Sequence, residues 1–182
     1  MTHEAYNGNG NRRNGRNVTS PPDLRMLCAR QLTDVRMAER HSAIALPDMA
    51  IVASDEDVAS IFRAAASETE IQLARLDRLI GSLDLPADES DVPLNGLLEG
   101  VRDILEGRFD GDANDVDTAL LGSAREALRY QIAGYEAACA TARRLGDYRT
   151  LDVLLQSLDE ELSTESSFSR LMSRHGRLLR AN

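Results

Sequence analysis

Residues 116–145 read VDTALLGSAREALRYQIAGYEAACATARRL. The stretch has no proline, and its two glycines stand alone among strong helix formers. Apolar or small side chains return every three or four positions between Leu120 and Leu145, which is the spacing of one helix face. A continuous helix here would be about 45 Å long, a length typical of the spine of a helical bundle. The polar exception on its inner face is Gln131.

The composition narrows the class of protein. The 182 residues are 42% hydrophobic but only 4% aromatic, so Leu, Ala, Ile and Val must build a core of closely packed helices. A net charge of −9 argues against nucleic-acid binding. Without a signal peptide or an apolar run of ~18 residues, we expect a cytoplasmic protein with no membrane association. Cys28 and Cys139 are isolated and fit reduced thiols.

The segment order predicts an all-α, ferritin-like four-helix bundle with an additional short crossing helix. We expect residues 1–21, which are rich in Asn and Gly, to be a disordered tail. Residues 22–175 would form the bundle, and 176–182 a C-terminal tail. The crossing helix is predicted at residues 93–106.

Individual residues mark where the other helices begin and end. The first helix is predicted to begin near Asp23 and to kink at Pro47. The second is predicted to follow an N-cap at Ser54 and to end at a Gly81 C-cap. The last helix is predicted to run from about residue 147 or 150 to about 174.

Each long helix also carries a polar residue where its spacing calls for a hydrophobe. These residues are Glu39, Glu68, Gln131 and Glu161, with Glu165 one turn further along. Buried carboxylates are costly unless they are paired, hydrogen-bonded or bound to a cation. Carboxylates that converge from separate helices are how di-iron bundles hold two metals, and oxygen donors suit Mg, Mn, Ca or iron better than zinc.

Five segments occur in a characteristic order: LTDVRMAERHSAIALPDMA (32–50), FRAAASETEIQLARLDRLI (62–80), PLNGLLEGVRDILEG (93–107), REALRYQIAGYEAA (125–138) and LLQSLDEELSTESSF (154–168). Together they resemble the YciE/YciF-type ferritin-like family of bacterial stress-response proteins, over about residues 22–172. The resemblance implies a ferritin-like bundle, usually a homodimer, with a carboxylate-rich di-metal centre and an association with stress responses.

The family's ligand pattern is only partly present. Glu39, Glu68 and Glu161 match its acidic positions, and Glu165 falls at a position that is usually acidic. The His of the family's His-x-x-Glu-Thr motif is Ala65 in this chain. The long helix reads Leu-Arg-Tyr-Gln at 128–131, where the family has Glu-His-Tyr-Glu. His41 is two positions from Glu39, so we expect it to face another side of its helix.

Three functions stay open on these observations. The first is a stress-associated bundle with a degenerate, non-catalytic metal site formed by Glu39, Glu68, Gln131, Glu161 and Glu165. The second is a di-iron or di-manganese oxidoreductase or iron-handling protein, and the third is a metal-free interaction scaffold. Iron or manganese is therefore a candidate cofactor, and a protein without any cofactor fits the sequence equally well.

A structural role for the glutamates is the further alternative. Arg125 or Arg129 would neutralise them, or Tyr130, Tyr135 and Gln131 would hydrogen-bond them.

Overall fold

The protein is described by a computed structural model that covers residues 21–83 and 101–178. Four long helices dominate it: α1 (Pro21–Val52), α2 (Glu56–Gly81), α3 (Ala113–Leu145) and α4 (Tyr148–Leu178). No strand occurs within the described residues. The predicted all-α bundle is confirmed.

Contacts between the helices give the order of a ferritin-like bundle. Helix α1 packs on α2 and α3, and α4 packs on α3 and α2. The buried carboxylate of Asp117, near the start of α3, accepts hydrogen bonds from the backbone N–H groups of Ser54 and Asp55, both at 2.8 Å. Helices α2 and α3 therefore begin at the same end of the bundle. The two helices therefore run parallel, as do the helices that one long crossover joins in ferritin-like folds.

Capping residues explain where the helices begin and end. The N-cap of α2 is Asp55 rather than Ser54, because the Asp55 carboxylate accepts the N–H of Asp57 at 2.7 Å. Its C-cap is Ser82 in the right-handed region, so the predicted Gly81 cap is wrong. Helix α3 begins three residues before the predicted 116, behind a capping box formed by Asp112 and Asp115.

The remaining boundaries differ in small ways from prediction. Helix α1 is continuous through Pro47 and begins at Pro21, one residue before the predicted bundle. Helix α4 extends to Leu178, so residues 176–178 belong to the helix and not to a tail. Most of the predicted crossing helix, the N-terminal 20 residues and residues 179–182 lie outside the described residues. Of the described part of that segment, 101–106, residues 101–105 are helical.

Gly134 sets the distance between α1 and α3. A Cβ atom added to Gly134 would lie 2.6 Å from Cγ2 of Val35, which is shorter than van der Waals contact allows. Since Val35 is one turn from Glu39, and Gly134 is three residues after Gln131, this close approach brings the two polar residues together.

We expect Gly134→Ala to destabilise the protein by about 1–2 kcal/mol, because overpacking a β-branched side chain outweighs the better helix propensity of alanine. Gly122→Ala is the matched control, since nothing lies within 4 Å of that added Cβ. It should stabilise the same helix by about 0.5–1 kcal/mol. Urea denaturation of both variants tests this; equal effects would contradict the close-packing account.

Candidate functional site

A layer of polar side chains divides the core into two apolar clusters. One cluster contains Leu46, Ala65, Leu128 and Phe168, and the other contains Val35, Leu76 and Leu154. Between the two clusters, each helix contributes buried polar residues. We call the following set the polar layer: Glu39, Gln72, Gln131, Tyr135 and Glu161.

Glu39 is the centre of the polar layer and is 0% exposed. Its Oε1 accepts a hydrogen bond from the hydroxyl of Tyr135 at 2.9 Å. Its Oε2 accepts one from Nε2 of Gln131 at 2.8 Å, and the same amide also donates to Oγ of Ser42 at 3.2 Å. Both Glu39 oxygens are thus held by neutral donors of α3.

Glu161 approaches Glu39 from the diagonally opposite helix. The two carboxyl groups hydrogen-bond to each other, and Glu161 also contacts the side chain of Gln72. Burial first, and the neighbouring Glu39 second, raise the pKa of Glu161 to about 9. Burial likewise raises the pKa of Glu39, opposed by its hydrogen bonds. A hydrogen bond between two carboxyl groups requires a proton, so at neutral pH the pair contains a carboxylic acid.

Charged residues at the edge of the bundle support this layer. Arg75 binds Glu160 through two hydrogen bonds, at 2.5 and 2.9 Å, and this pairing lowers the pKa of Glu160. Arg75 also donates to Oγ of Ser157 at 3.3 Å, and Ser157 hydrogen-bonds Tyr135. A continuous hydrogen-bonded chain therefore leads from α2 at the surface to Glu39.

A cavity adjoins the polar layer on the side of the larger cluster. Its volume is about 40 Å³, counted as space for the centre of a water molecule. The polar lining includes Ser42, Glu68, Gln72, Gln131 and Glu161. The apolar lining includes Leu46, Ala65, Leu128 and Phe168. The exposed Glu68 lies at its mouth, where its Oε2 accepts a hydrogen bond from Oγ1 of Thr164 at 2.8 Å.

The structure brings three of the five predicted site residues together: Glu39, Gln131 and Glu161. Glu68 is exposed and lines the cavity, but it does not belong to the buried group. Glu165 is directed elsewhere, because Arg125 binds its carboxylate at 2.8 Å and Arg129 lies 3.5 Å from it. The arginines thus neutralise Glu165 and not the buried pair.

Sequence reasoning missed two residues of this region. Gln72 is hard to predict because its neighbour Leu73 is the more obvious core residue; the buried face of α2 follows the spacing Phe62, Ala65, Thr69, Gln72, Leu76. His41, expected on another face of α1, also lines this cavity. Its Nδ1 is buried and has no hydrogen-bond partner among the described residues.

The donor set does not fit a di-metal centre. Both oxygens of Glu39 already accept hydrogen bonds, and Leu128 and Ala65 present hydrocarbon at the cavity wall. Gln131 directs its N–H, which cannot bind a cation, toward the carboxylate. Across residues 21–83 and 101–178, no three His, Cys, Asp or Glu side chains gather as a group that could hold a metal ion.

These features define a class: an all-α four-helix bundle with one long crossover and a carboxyl pair in its core. None of the described helices is long and apolar enough to span a bilayer. The chain belongs to the family described as Domain of unknown function (DUF892), which matches residues 23–178. The predicted YciE/YciF-type membership is confirmed.

Two relatives give the extent of the similarity. Protein YciF of Escherichia coli (strain K12) is 29% identical over 144 residues, which are 77% of this chain and 84% of that protein. The crystal structure of the E. coli stress protein YciF is similar with a TM-score of 0.78, covering 85% of this chain and 97% of that chain at 25% identity. YcfI of Rhodopseudomonas palustris gives a TM-score of 0.70 at 26% identity, covering 85% of this chain and 96% of that one.

Proposed function

We propose that the protein is a non-catalytic, stress-associated bundle protein whose carboxylate metal site has degenerated into a hydrogen-bonded carboxyl pair. In this proposal it acts in the cytoplasm as a homodimer. The stress association is carried over from YciF, which is described as a stress protein. The observation that carries the rest is the arrangement around Glu39, whose two oxygens are bound by Tyr135 and Gln131.

The chemistry of the polar layer supports a structural role over a redox role. A ferritin-like di-iron site takes a Glu from each of two helices and Glu-x-x-His from each of the other two. In this chain α3 has Leu128 and Gln131 where the resembled family has Glu, and α2 has Ala65 where that family has His. A buried carboxyl pair satisfied by neutral donors needs no cation to offset its burial.

Elemental analysis of the full chain, purified without chelator, tests this proposal. We expect less than about 0.2 iron or manganese atoms per chain, and the same value in Glu39→Ala and in Glu165→Ala, the control outside the layer. About two iron or manganese atoms per chain, lost in Glu39→Ala but kept in Glu165→Ala, would overturn it in favour of a di-metal oxidoreductase or iron-handling protein.

A further inference from the structure

The cavity beside the polar layer has an apolar wall, although polar residues of all four helices border it. Most of the surface that faces the space belongs to carbon atoms. The apolar side chains come from the four helices and from the crossing segment, and the largest or most central of them are Leu46, Met49, Ala65, Val101, Leu128 and Phe168. The cavity is therefore a separate feature from the carboxyl pair next to it.

The polar side chains of the border are largely bonded to one another. The amide of Gln131 donates to Glu39 at 2.8 Å and to Ser42 at 3.2 Å. The hydroxyl of Thr164 donates to Glu68 at 2.8 Å. Because these groups already have partners, they gain little from a hydrogen-bonding guest.

Two polar atoms on this border have no hydrogen-bond partner among the described residues: Nδ1 of His41 and Oε1 of Gln72. Both atoms are covered by their neighbours, so they are buried in the wall and do not face the space. The carboxyl group of Glu161 is bonded to Glu39 and to the side chain of Gln72. None of these groups is therefore available to hold a polar guest in the space.

Water and ions are poorly suited to such a wall. The hydroxyls of Thr69 and Ser123 remain on the border, one on α2 and one on α3. A buried water typically makes about three hydrogen bonds, and an ion in this space would lose its hydration shell without replacement. An uncharged apolar guest has no hydrogen bonds to lose, and it gains dispersion contacts with the carbon atoms of the wall.

The volume of the cavity limits the size of its guest. The space is about 40 Å³, which exceeds the ~10–15 Å³ that one water needs. It is well below the ~150 Å³ of a cavity that holds benzene, so the guest has about one to four heavy atoms.

We propose that this cavity binds an uncharged apolar molecule of about one to four heavy atoms, the size of a dissolved gas, against Ala65, Leu128 and Phe168. The carbon wall and the small volume together select this class of ligand. The guest needs no bond to the carboxyl pair, so this site goes beyond the proposed function and is tested apart from it.

Methyl NMR spectra of the full chain at rising xenon pressure test this site, since xenon is a single large atom that forms no hydrogen bonds. We expect shifts that grow with pressure at the methyl groups of Ala65, Ala124 and Leu128, which line the cavity. Leu76 and Leu154 are equally buried in the other apolar cluster and should not shift. No shift at the cavity methyls, or equal shifts in both clusters, would overturn the proposal.

Methanol is the control for a polar guest, because it has a similar size but carries a hydroxyl group. At equal concentration it should shift the cavity methyls at least about tenfold less than xenon does. A larger response to methanol than to xenon would overturn the proposal in favour of a hydrogen-bonding ligand.

Two substitutions place the guest in this cavity. Ala65→Leu and Ala127→Leu fill the space from α2 and from α3 without touching a carboxyl group, and each should weaken the xenon response at least about tenfold. Ala64→Leu adds the same side chain at an exposed neighbouring position and should respond as the parent does. Unchanged methyl resonances of Leu76 and Leu154 show that a variant is folded. A full xenon response in both filled variants would contradict binding at this site.

Discussion

Raising the pH from 6 to 8 should increase the stability of Glu161→Gln relative to the parent protein by about 3 kcal/mol. Glu161 has a pKa of about 9 in the folded state, raised from 4.5 by burial first and by Glu39 second. Between these two values the folded protein keeps a proton that the unfolded chain has lost. The parent therefore loses about 1.4 kcal/mol per pH unit as pH rises, and glutamine removes that term.

Urea unfolding of both proteins at several pH values measures this difference. The other titratable groups that face the pair are Glu68 on α2 and Tyr135 on α3, and both are present in each protein. Glu165→Gln is the control, because Arg125 lowers the pKa of Glu165, so that this group is ionised in both states above pH 6. If the free energies of unfolding of the parent and of Glu161→Gln changed with pH in parallel, the result would contradict a proton shared by Glu39 and Glu161.

Removing one member of the pair should be the most damaging change in the layer. We expect Glu39→Ala to lower the free energy of unfolding by about 3–5 kcal/mol, because it leaves a cavity and removes the acceptor of the Tyr135 hydroxyl. Tyr135 is 0% exposed, so water cannot replace that acceptor. Glu161 then remains buried without its carboxyl partner. Glu165→Ala, which breaks a partly exposed ion pair with Arg125, should cost less than about 1 kcal/mol.

Replacing both carboxyls together should cost less than the two single replacements combined. In Glu39→Leu/Glu161→Leu both desolvated acids are exchanged for hydrocarbon of similar size, although Tyr135 and Gln131 still lose their acceptor. Each single leucine variant instead leaves the other acid buried without its carboxyl partner. Equilibrium unfolding of Glu39→Leu, Glu161→Leu and the double variant tests this; simple additivity would contradict a coupled pair.

The helices and their order could be predicted because hydrophobic spacing is strong over long segments. On α1 and α3 the inner faces are narrow, and Glu39 and Gln131 were assigned to the core correctly. Helix α2 was ambiguous, since Ala64, Ala65 and Ala66 fit several faces equally well. Because of that ambiguity, the sequence predicts Glu68 and not Gln72 as the inward-facing polar residue of α2, although the two are a single helical turn apart.

Contacts between helices could not be predicted in the same way. Glu165 has the spacing of a core residue, but two arginines on α3 hold it near the surface. Asp117 looks like a helix-start residue, yet it is 2% exposed because it accepts the N–H groups at the start of α2. Both outcomes depend on which side chain of a neighbouring helix is nearest, and spacing within one helix does not contain that information.

The carboxyl pair is most directly tested by ¹³C NMR titration of the glutamate side chains in the full-length protein. We expect one carboxyl resonance to titrate near pH 9, and to vanish in Glu161→Gln. A chain in which every glutamate carboxyl titrates at its ordinary value, or in which Glu39 and Glu161 stay ionised because an ion holds them, would contradict it.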